Sequence, residues 1–159
     1  MQTTSIFLNF KSYLYDTVAD INYYPPSLVI SLLYWTINLP QPTMPIISEL
    51  DKIAGSHASL VNDLYSYRRE VKRMPKGEVG AAIMNSVVVV MSEQGLGETE
   101  AIRWLEKYIK GLEDEFDKVA DGYDGEQVEL AREHAGRLRY VMGGNLLWSM
   151  ICGRYNQEV

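Results

Sequence analysis

The sequence contains little that would suggest a disulfide-bonded or nucleic-acid-binding protein. Its single cysteine, Cys152, excludes an intrachain disulfide and a thiolate metal cluster, and fits a reducing intracellular compartment. No basic run is longer than the pairs Arg68-Arg69 and Lys72-Arg73, and the net charge is −6. These features argue against nucleic acid as a partner, but they are compatible with a local basic pocket for an anion.

Targeting and membrane-spanning segments are also lacking. Residues 1–8 have no basic region followed by a long apolar core, so they do not form a secretory signal. The longest apolar stretch, Ser27 to Leu39, is too short and too interrupted to cross a bilayer. We therefore expect a cytoplasmic protein without membrane association.

Strand signals are scarce, and helical periodicity dominates. The β-branched run Val87 to Val90 lies in a segment of helical length, Glu78 to Gln94, that Gly95 closes. We predict a buried helix there and keep a strand as the alternative. Further helices are predicted over residues 10–17, 27–37, 46–73, 99–119 and 126–142, with one or two last turns over 145–152. We expect Thr99 to cap one helix and Gly143-Gly144 to break another, which gives an all-α bundle in one domain.

Three oxygen-bearing residues, Asn62, Ser66 and Glu70, recur at intervals of four on the helix predicted over 46–73. Each step of four turns about 40° past a full circle, so neighbours lie about 5–6 Å apart at Cβ. An amide, a hydroxyl and a carboxylate suit Mg²⁺, which completes its shell with water and substrate phosphate. Arg68 and Arg69 offer guanidinium groups suited to phosphate. The alternative is an ordinary solvated helix face.

The other polar residues do not have a spacing that indicates a catalytic or metal-binding site. His57 and His134 each lack a second histidine at ligand spacing, so we expect structural or surface roles and no zinc. Asp63 points about 100° away from Asn62, and we expect it to make a salt bridge or a helix contact. The acidic segment Glu113 to Asp117 is typical of a solvated helix face.

The motif Asn62-Asp63-x-x-Ser66-x-x-x-Glu70 resembles the second metal-binding motif of class I terpene synthases. Leu50 to Gly55, ahead of it, is similar to the microbial and especially the fungal branch of that family. Gly144 to Ser149 and the pair Arg154-Tyr155 resemble the Trp-Ser segment and the Arg-Tyr pair near the end of such enzymes. The resemblance extends over most of the chain.

This resemblance implies a helical bundle like the C-terminal half of the class I terpenoid synthase fold. It implies that Mg²⁺ is held by Asn62, Ser66 and Glu70. It also implies that the substrate diphosphate is contacted by Arg69, Arg154 and Tyr155. The reaction would be loss of diphosphate from a linear prenyl diphosphate, followed by cyclisation of the carbocation. Farnesyl diphosphate is the first choice of substrate and geranylgeranyl diphosphate the second.

A carbocation needs a dry pocket with apolar and aromatic walls. Four aromatic residues are candidates for such walls, with ordinary core packing as the alternative for each: Tyr34, Trp35, Tyr65 and Trp148.

The sequence departs from the family pattern in two places. No aspartate-rich cluster, the family's first metal motif, precedes the triad, and Thr17 stands where the family usually has an arginine. We therefore expect residues 1–159 to form one partial domain without the helices that carry that motif. Its apolar helix faces would be covered by a homo- or hetero-oligomer. Two alternatives are a non-catalytic helical binding module derived from a terpene synthase, and a generic helical bundle with a chance motif.

Overall fold

The computed structural model describes Phe10 and residues 44–73, 85–122 and 128–156. This part of the chain contains no strand, and its helices are α1 (Met44–Arg73), α2 (Ser86–Gln94), α3 (Glu98–Asp121), α4 (Val128–Ile151) and α5 (Gly153–Asn156). The prediction of an all-α fold is confirmed. Apart from Phe10, which is helical, the helices predicted over 10–17 and 27–37 lie outside the described residues.

Helix α1 packs against both α3 and α4, and α2 packs on α3. The reason is clearest in α3, whose buried side chains recur every three or four residues along one stripe: Ala101, Leu105, Ile109, Leu112, Phe116 and Ala120. Leu50, Leu60 and Val61 of α1 are fully buried in the same core. The long helix predicted over 46–73 is confirmed to within two residues at its start.

Helix α2 is shorter than predicted. Asn85 has an extended backbone (φ −147°, ψ 135°) and accepts a hydrogen bond from the N–H of Val87, so α2 begins at Ser86. Residues 78–84 of the predicted segment lie outside the described residues. Val87 and Val90 are fully buried within it. The β-branched run is therefore a buried helix as predicted, and the strand alternative is wrong.

Two glycines define the turn between α2 and α3. Gly95 is left-handed (φ 63°), and the N–H groups of Gly95 and Leu96 both donate to the Met91 carbonyl oxygen. Gly97, rather than Thr99, is the N-cap of α3. The carboxylate of Glu100 accepts the N–H of Gly97 at 3.1 Å, which satisfies the donor one residue before the helix. The helix therefore begins at Glu98, one residue earlier than predicted.

Replacing Gly95 by alanine is expected to lower the free energy of unfolding by about 1 kcal/mol, because its φ of 63° strains an L residue although a Cβ meets no atom within 4 Å. The matched control is Gly111→Ala in the exposed middle of α3, where an added Cβ also meets open space. That change should raise stability by about 0.5–1 kcal/mol. Urea unfolding measures both, and two shifts of the same sign would contradict the account.

Helix α4 runs without interruption through Gly143 and Gly144, so the predicted break there is wrong. Glycine lowers helix propensity by about 1 kcal/mol per residue, but contacts on both sides of the pair hold the helix. Met142 is buried before it, and Asn145 after it donates its side-chain N–H to the Ala58 carbonyl of α1 at 3.3 Å. Leu146 packs against the core. Tertiary packing thus overrides local propensity.

Both histidines are structural, which confirms the prediction made for them. His134 is fully buried and lies 2.9 Å through Nε2 from Asp51 Oδ1, a contact that joins α4 to α1. His57 lies 3.3 Å through Nε2 from Glu113 Oε1, which joins α1 to α3. Burial lowers the pKa of His57, and the hydrogen bond and charge of Glu113 oppose that shift.

The second half of α4 presents apolar side chains to solvent: Tyr140, Leu147, Trp148, Met150 and Ile151. The sequence predicted exposed apolar helix faces, and α4 has one, while association with another chain stays a prediction. Within the described ranges, every helix is too short or too polar to traverse a lipid bilayer.

Candidate metal centre

The oxygen triad lies along one stripe of α1. Asn62 is exposed, Ser66 is buried and Glu70 is half-buried, so the middle of the stripe is the part most protected from solvent. The hydroxyl of Ser66 donates to Glu70 Oε1 at 2.5 Å. A hydroxyl that donates its proton still has lone pairs to offer, as does a carboxylate that accepts one hydrogen bond. The structure thus brings two of the three predicted ligands into direct contact.

Asn85 joins the triad from α2, and the sequence analysis did not identify it. Its Nδ2 donates to Glu70 Oε2 at 3.0 Å and to the Asp63 carbonyl oxygen at 2.9 Å. The side chain is fully buried. The available signal was an asparagine two residues before the apolar run that starts at Val87, which is a helix N-cap pattern. That pattern does not predict the hydrogen bond from Asn85 to Glu70, because Glu70 is 15 residues away in the sequence.

Asp63 makes the helix contact predicted for it. Its carboxylate, which is buried, accepts the N–H of Ser86 at 2.9 Å and so stabilises the N-terminus of α2. A carboxylate at this position satisfies an orphan helix donor and complements the helix dipole. The side chain therefore fixes α2 against α1 rather than adding an oxygen to the triad.

Tyr155 of the short helix α5 reaches the other end of the triad. Its hydroxyl donates to Asn62 Oδ1 at 2.5 Å, across 93 residues of chain. The Tyr155 ring contacts Trp148 edge to face, with centroids 5.5 Å apart, and the guanidinium carbon of Arg154 lies 5.9 Å from its centroid. The Arg-Tyr pair singled out in the sequence is therefore beside the triad.

Charged groups surround the Tyr155 hydroxyl. Burial raises its pKa, and Arg154 and Arg69 oppose that shift while Glu70 adds to it. Arg69, which is half-buried, thus lies close enough for its charge to act on Tyr155, whereas Arg68 is exposed. The positive charges of Arg69 on α1 and Arg154 on α5 thus both act on the hydroxyl that contacts Asn62, and an anion site requires positive charge of this kind.

The donor set fits a hard divalent cation. Asn62 Oδ1 keeps a second lone pair beside the one that Tyr155 uses, and the Glu70 carboxylate supplies the negative charge. Three oxygens of mixed type leave room for water and phosphate oxygens, which Mg²⁺ favours. In the described part of the chain, no three histidine, cysteine, aspartate or glutamate side chains converge as a metal site.

Two of the four predicted pocket-wall residues can be located. Tyr65 is half-buried and packs against the core, and Trp148 is 47% exposed beside Tyr155. Tyr34 and Trp35 lie outside the described residues, as does Thr17. Trp148 therefore has an aromatic face next to the triad, while the position of Tyr65 fits ordinary packing.

A match to a known family agrees with this metal-binding geometry. Residues 6–115 match the family described as "Terpene synthase family 2, C-terminal metal binding". The chain belongs to this terpene synthase family. The matched range includes Asn62, Ser66, Glu70 and Asn85, whereas Tyr155 lies beyond it.

The chain is also similar to individual terpene synthases of fungi and bacteria, which supports the same family assignment. The chain is 29% identical over 123 residues, 76% of its length, to a bifunctional type I diterpene synthase of Aspergillus flavipes. It is 28% identical over 119 residues, 73% of its length, to (+)-aristolochene synthase of Penicillium expansum, and 28% identical over 120 residues, 70% of its length, to pristinol synthase of Streptomyces pristinaespiralis. The matches span 16%, 36% and 30% of these relatives, so the chain covers about a third of their length or less.

Proposed function

We propose that the chain is the metal-binding part of a Mg²⁺-dependent terpene cyclase acting on a linear prenyl diphosphate. The observation that carries this proposal is the contact of Ser66 with Glu70 at 2.5 Å, in line with Asn62 on the same helix. Farnesyl diphosphate is the proposed substrate and geranylgeranyl diphosphate the second choice, since the relatives include both diterpene and aristolochene synthases.

Each end of the triad has a separate task in this proposal. Asn62, Ser66 and Glu70 would hold the cation, which when bound supplies positive charge to the diphosphate leaving group. Arg69 and Arg154 would donate N–H groups to the same diphosphate. Tyr155 would orient Asn62 through the hydrogen bond at 2.5 Å. All of these groups stabilise negative charge that develops as the leaving group departs.

The chemistry balances without a further reagent. The bond between the first carbon and the diphosphate oxygen breaks, and both electrons leave with the diphosphate. A double bond of the same prenyl substrate then attacks the allylic carbocation, and loss of a proton from the cyclised cation ends the reaction. Trp148, with its ring beside Tyr155, is the described residue best placed to present an aromatic face to the cation.

A second candidate is a helical binding module without catalytic activity. One observation favours it: the apolar residues of α4 are exposed. Such a module would retain the triad but act by association, with the exposed face of α4 as the surface for a homo- or hetero-oligomer.

Thermal unfolding with Mg²⁺ and inorganic diphosphate tests the proposal. A ligand pair that binds only the folded chain at about 100 times its Kd adds about 2.7 kcal/mol, which should raise Tm by about 5–10 °C. Either ligand alone should have a much smaller effect. Turnover of farnesyl diphosphate in the same sample separates the candidates: stabilisation with turnover supports the cyclase, and stabilisation without turnover supports the module. The absence of any shift would overturn the cyclase and leave the module, which acts by association and needs no bound cation.

A further inference from the structure

Asn85 makes more contacts with the oxygen triad than its role as a helix cap requires. Its Oδ1 accepts the N–H of Val87 at 2.9 Å, which is the capping contact. Its Nδ2 carries two further hydrogen bonds, to Glu70 Oε2 at 3.0 Å and to the Asp63 carbonyl at 2.9 Å. Three of the four hydrogen-bonding positions of the amide, including both N–H donors, are thus used inside the protein, without solvent exposure.

The capping contact also fixes which way the amide faces. Because Oδ1 must accept the Val87 N–H, the NH₂ group can only point towards Glu70 and the Asp63 carbonyl. The opposite orientation would bring two donors together at Val87 and set the amide oxygen against the Glu70 carboxylate. The N-terminus of α2 therefore imposes a directed donor on the acidic residue of the triad.

The Glu70 carboxylate is held at both oxygens. Ser66 donates to Oε1 at 2.5 Å, and Asn85 donates to Oε2 at 3.0 Å, so the plane of the carboxylate is set by two elements. A free glutamate side chain loses rotamer freedom when it is fixed by a ligand, and one that is already fixed loses less. Residues that orient metal ligands affect metal affinity for this reason.

We infer that Asn85 is a positioning residue for Glu70, which it holds in the orientation needed to bind a divalent cation. This inference rests on the proposed function, because it takes Glu70 as a cation ligand. Asn85 turns its Nδ2 towards Glu70 and its Oδ1 towards the Val87 N–H, so it presents a donor rather than an oxygen ligand to the triad carboxylate. Its influence is exerted through the Glu70 carboxylate.

The structure supplies a matched control for this inference. Asp63 tethers the same end of α2 through its carboxylate, which accepts the Ser86 N–H at 2.9 Å. Asp63→Asn therefore weakens the tether and leaves the Asn85–Glu70 hydrogen bond in place. Asn85→Ser keeps a capping oxygen for α2 but removes the amide donors. The two variants separate loosening of α2 from release of Glu70.

The experiment titrates Mg²⁺ at saturating inorganic diphosphate and follows Tm of the full chain. Asn85→Ser should raise the Mg²⁺ concentration that gives half of the stabilisation by about 10–100-fold. Asp63→Asn should lower Tm in EDTA but leave that Mg²⁺ concentration unchanged. If Asn85→Ser does not fold, Asn85→Asp retains the cap and sets a second carboxylate against Glu70, and it should shift the titration in the same direction.

Each remaining outcome overturns a stated part of the account. A stabilised wild type with unchanged Mg²⁺ titrations in the Asn85 variants overturns the inference and leaves the proposed function standing. Equal titration shifts in the Asn85 and Asp63 variants also overturn it, because the effect then comes from loosening α2. A wild type without any shift overturns the proposed function and the inference with it, which the wild-type sample alone reveals.

Discussion

The Glu70→Gln variant is expected to unfold at the same temperature with and without Mg²⁺ plus inorganic diphosphate. Glutamine has nearly the same shape but removes the only full negative charge of the triad, and the cation loses its strongest ligand. Its amide group also cannot accept at both ends, so either the Ser66 contact at 2.5 Å or the Asn85 contact at 3.0 Å is lost. We expect cation affinity to fall by more than about 100-fold, beyond the effect of an orienting residue.

The control for this variant is Glu106→Gln on the exposed side of α3. It changes net charge by the same amount and should leave the stabilisation by Mg²⁺ and diphosphate intact. Turnover of farnesyl diphosphate, if the wild type shows it, should disappear in the Glu70 variant alone. If Glu70→Gln kept the full thermal shift, the cation would bind elsewhere on the chain and the triad would be an ordinary polar face.

The Phe116→Ala variant should lose about 3–5 kcal/mol of stability, the largest effect expected for a single core substitution here. Phe116 is 1% exposed on α3 and packs in the core shared with α1. The guanidinium carbon of Arg139 lies 5.5 Å from its ring centroid, so a cation–π contact is lost together with the buried surface. A loss of this size is a large fraction of the stability of an ordinary domain, which is about 5–15 kcal/mol.

Urea unfolding of Phe116→Ala should be compared with that of Tyr140→Ala. Tyr140 is 85% exposed, so removal of its ring should change stability by less than about 0.5 kcal/mol. If Phe116→Ala does not fold, Phe116→Leu retains most of the buried volume and should give an intermediate loss. Similar values for the alanine variants at 116 and 140 would contradict the burial of Phe116.

The parts of the molecule that depend on local periodicity were predictable from the sequence. The stripe of Asn62, Ser66 and Glu70 follows from spacing of four residues within one helix, and α1 has nearly its predicted length. The C-cap at Gly95 was also predictable, because a glycine closes an apolar run there.

The parts that depend on distant partners were not predictable. Asn85 reaches Glu70 across 15 residues, and His134 reaches Asp51 across 83, so no local pattern specifies either pair. The continuity of α4 through Gly143 and Gly144 was missed for a related reason, since it is held by packing against α1 rather than by propensity.

The hydrogen bond from Tyr155 to Asn62 has a consequence for co-translational folding on the ribosome. A chain grows at about 5–20 residues per second, so the 93 residues between these two partners take about 5–20 s to synthesise. During that interval α1 has been made, but Tyr155, which donates to the amide oxygen of Asn62, has not. The nascent chain can therefore form the Ser66–Glu70 pair early, but the arrangement around Asn62 is completed only after α5 has been made.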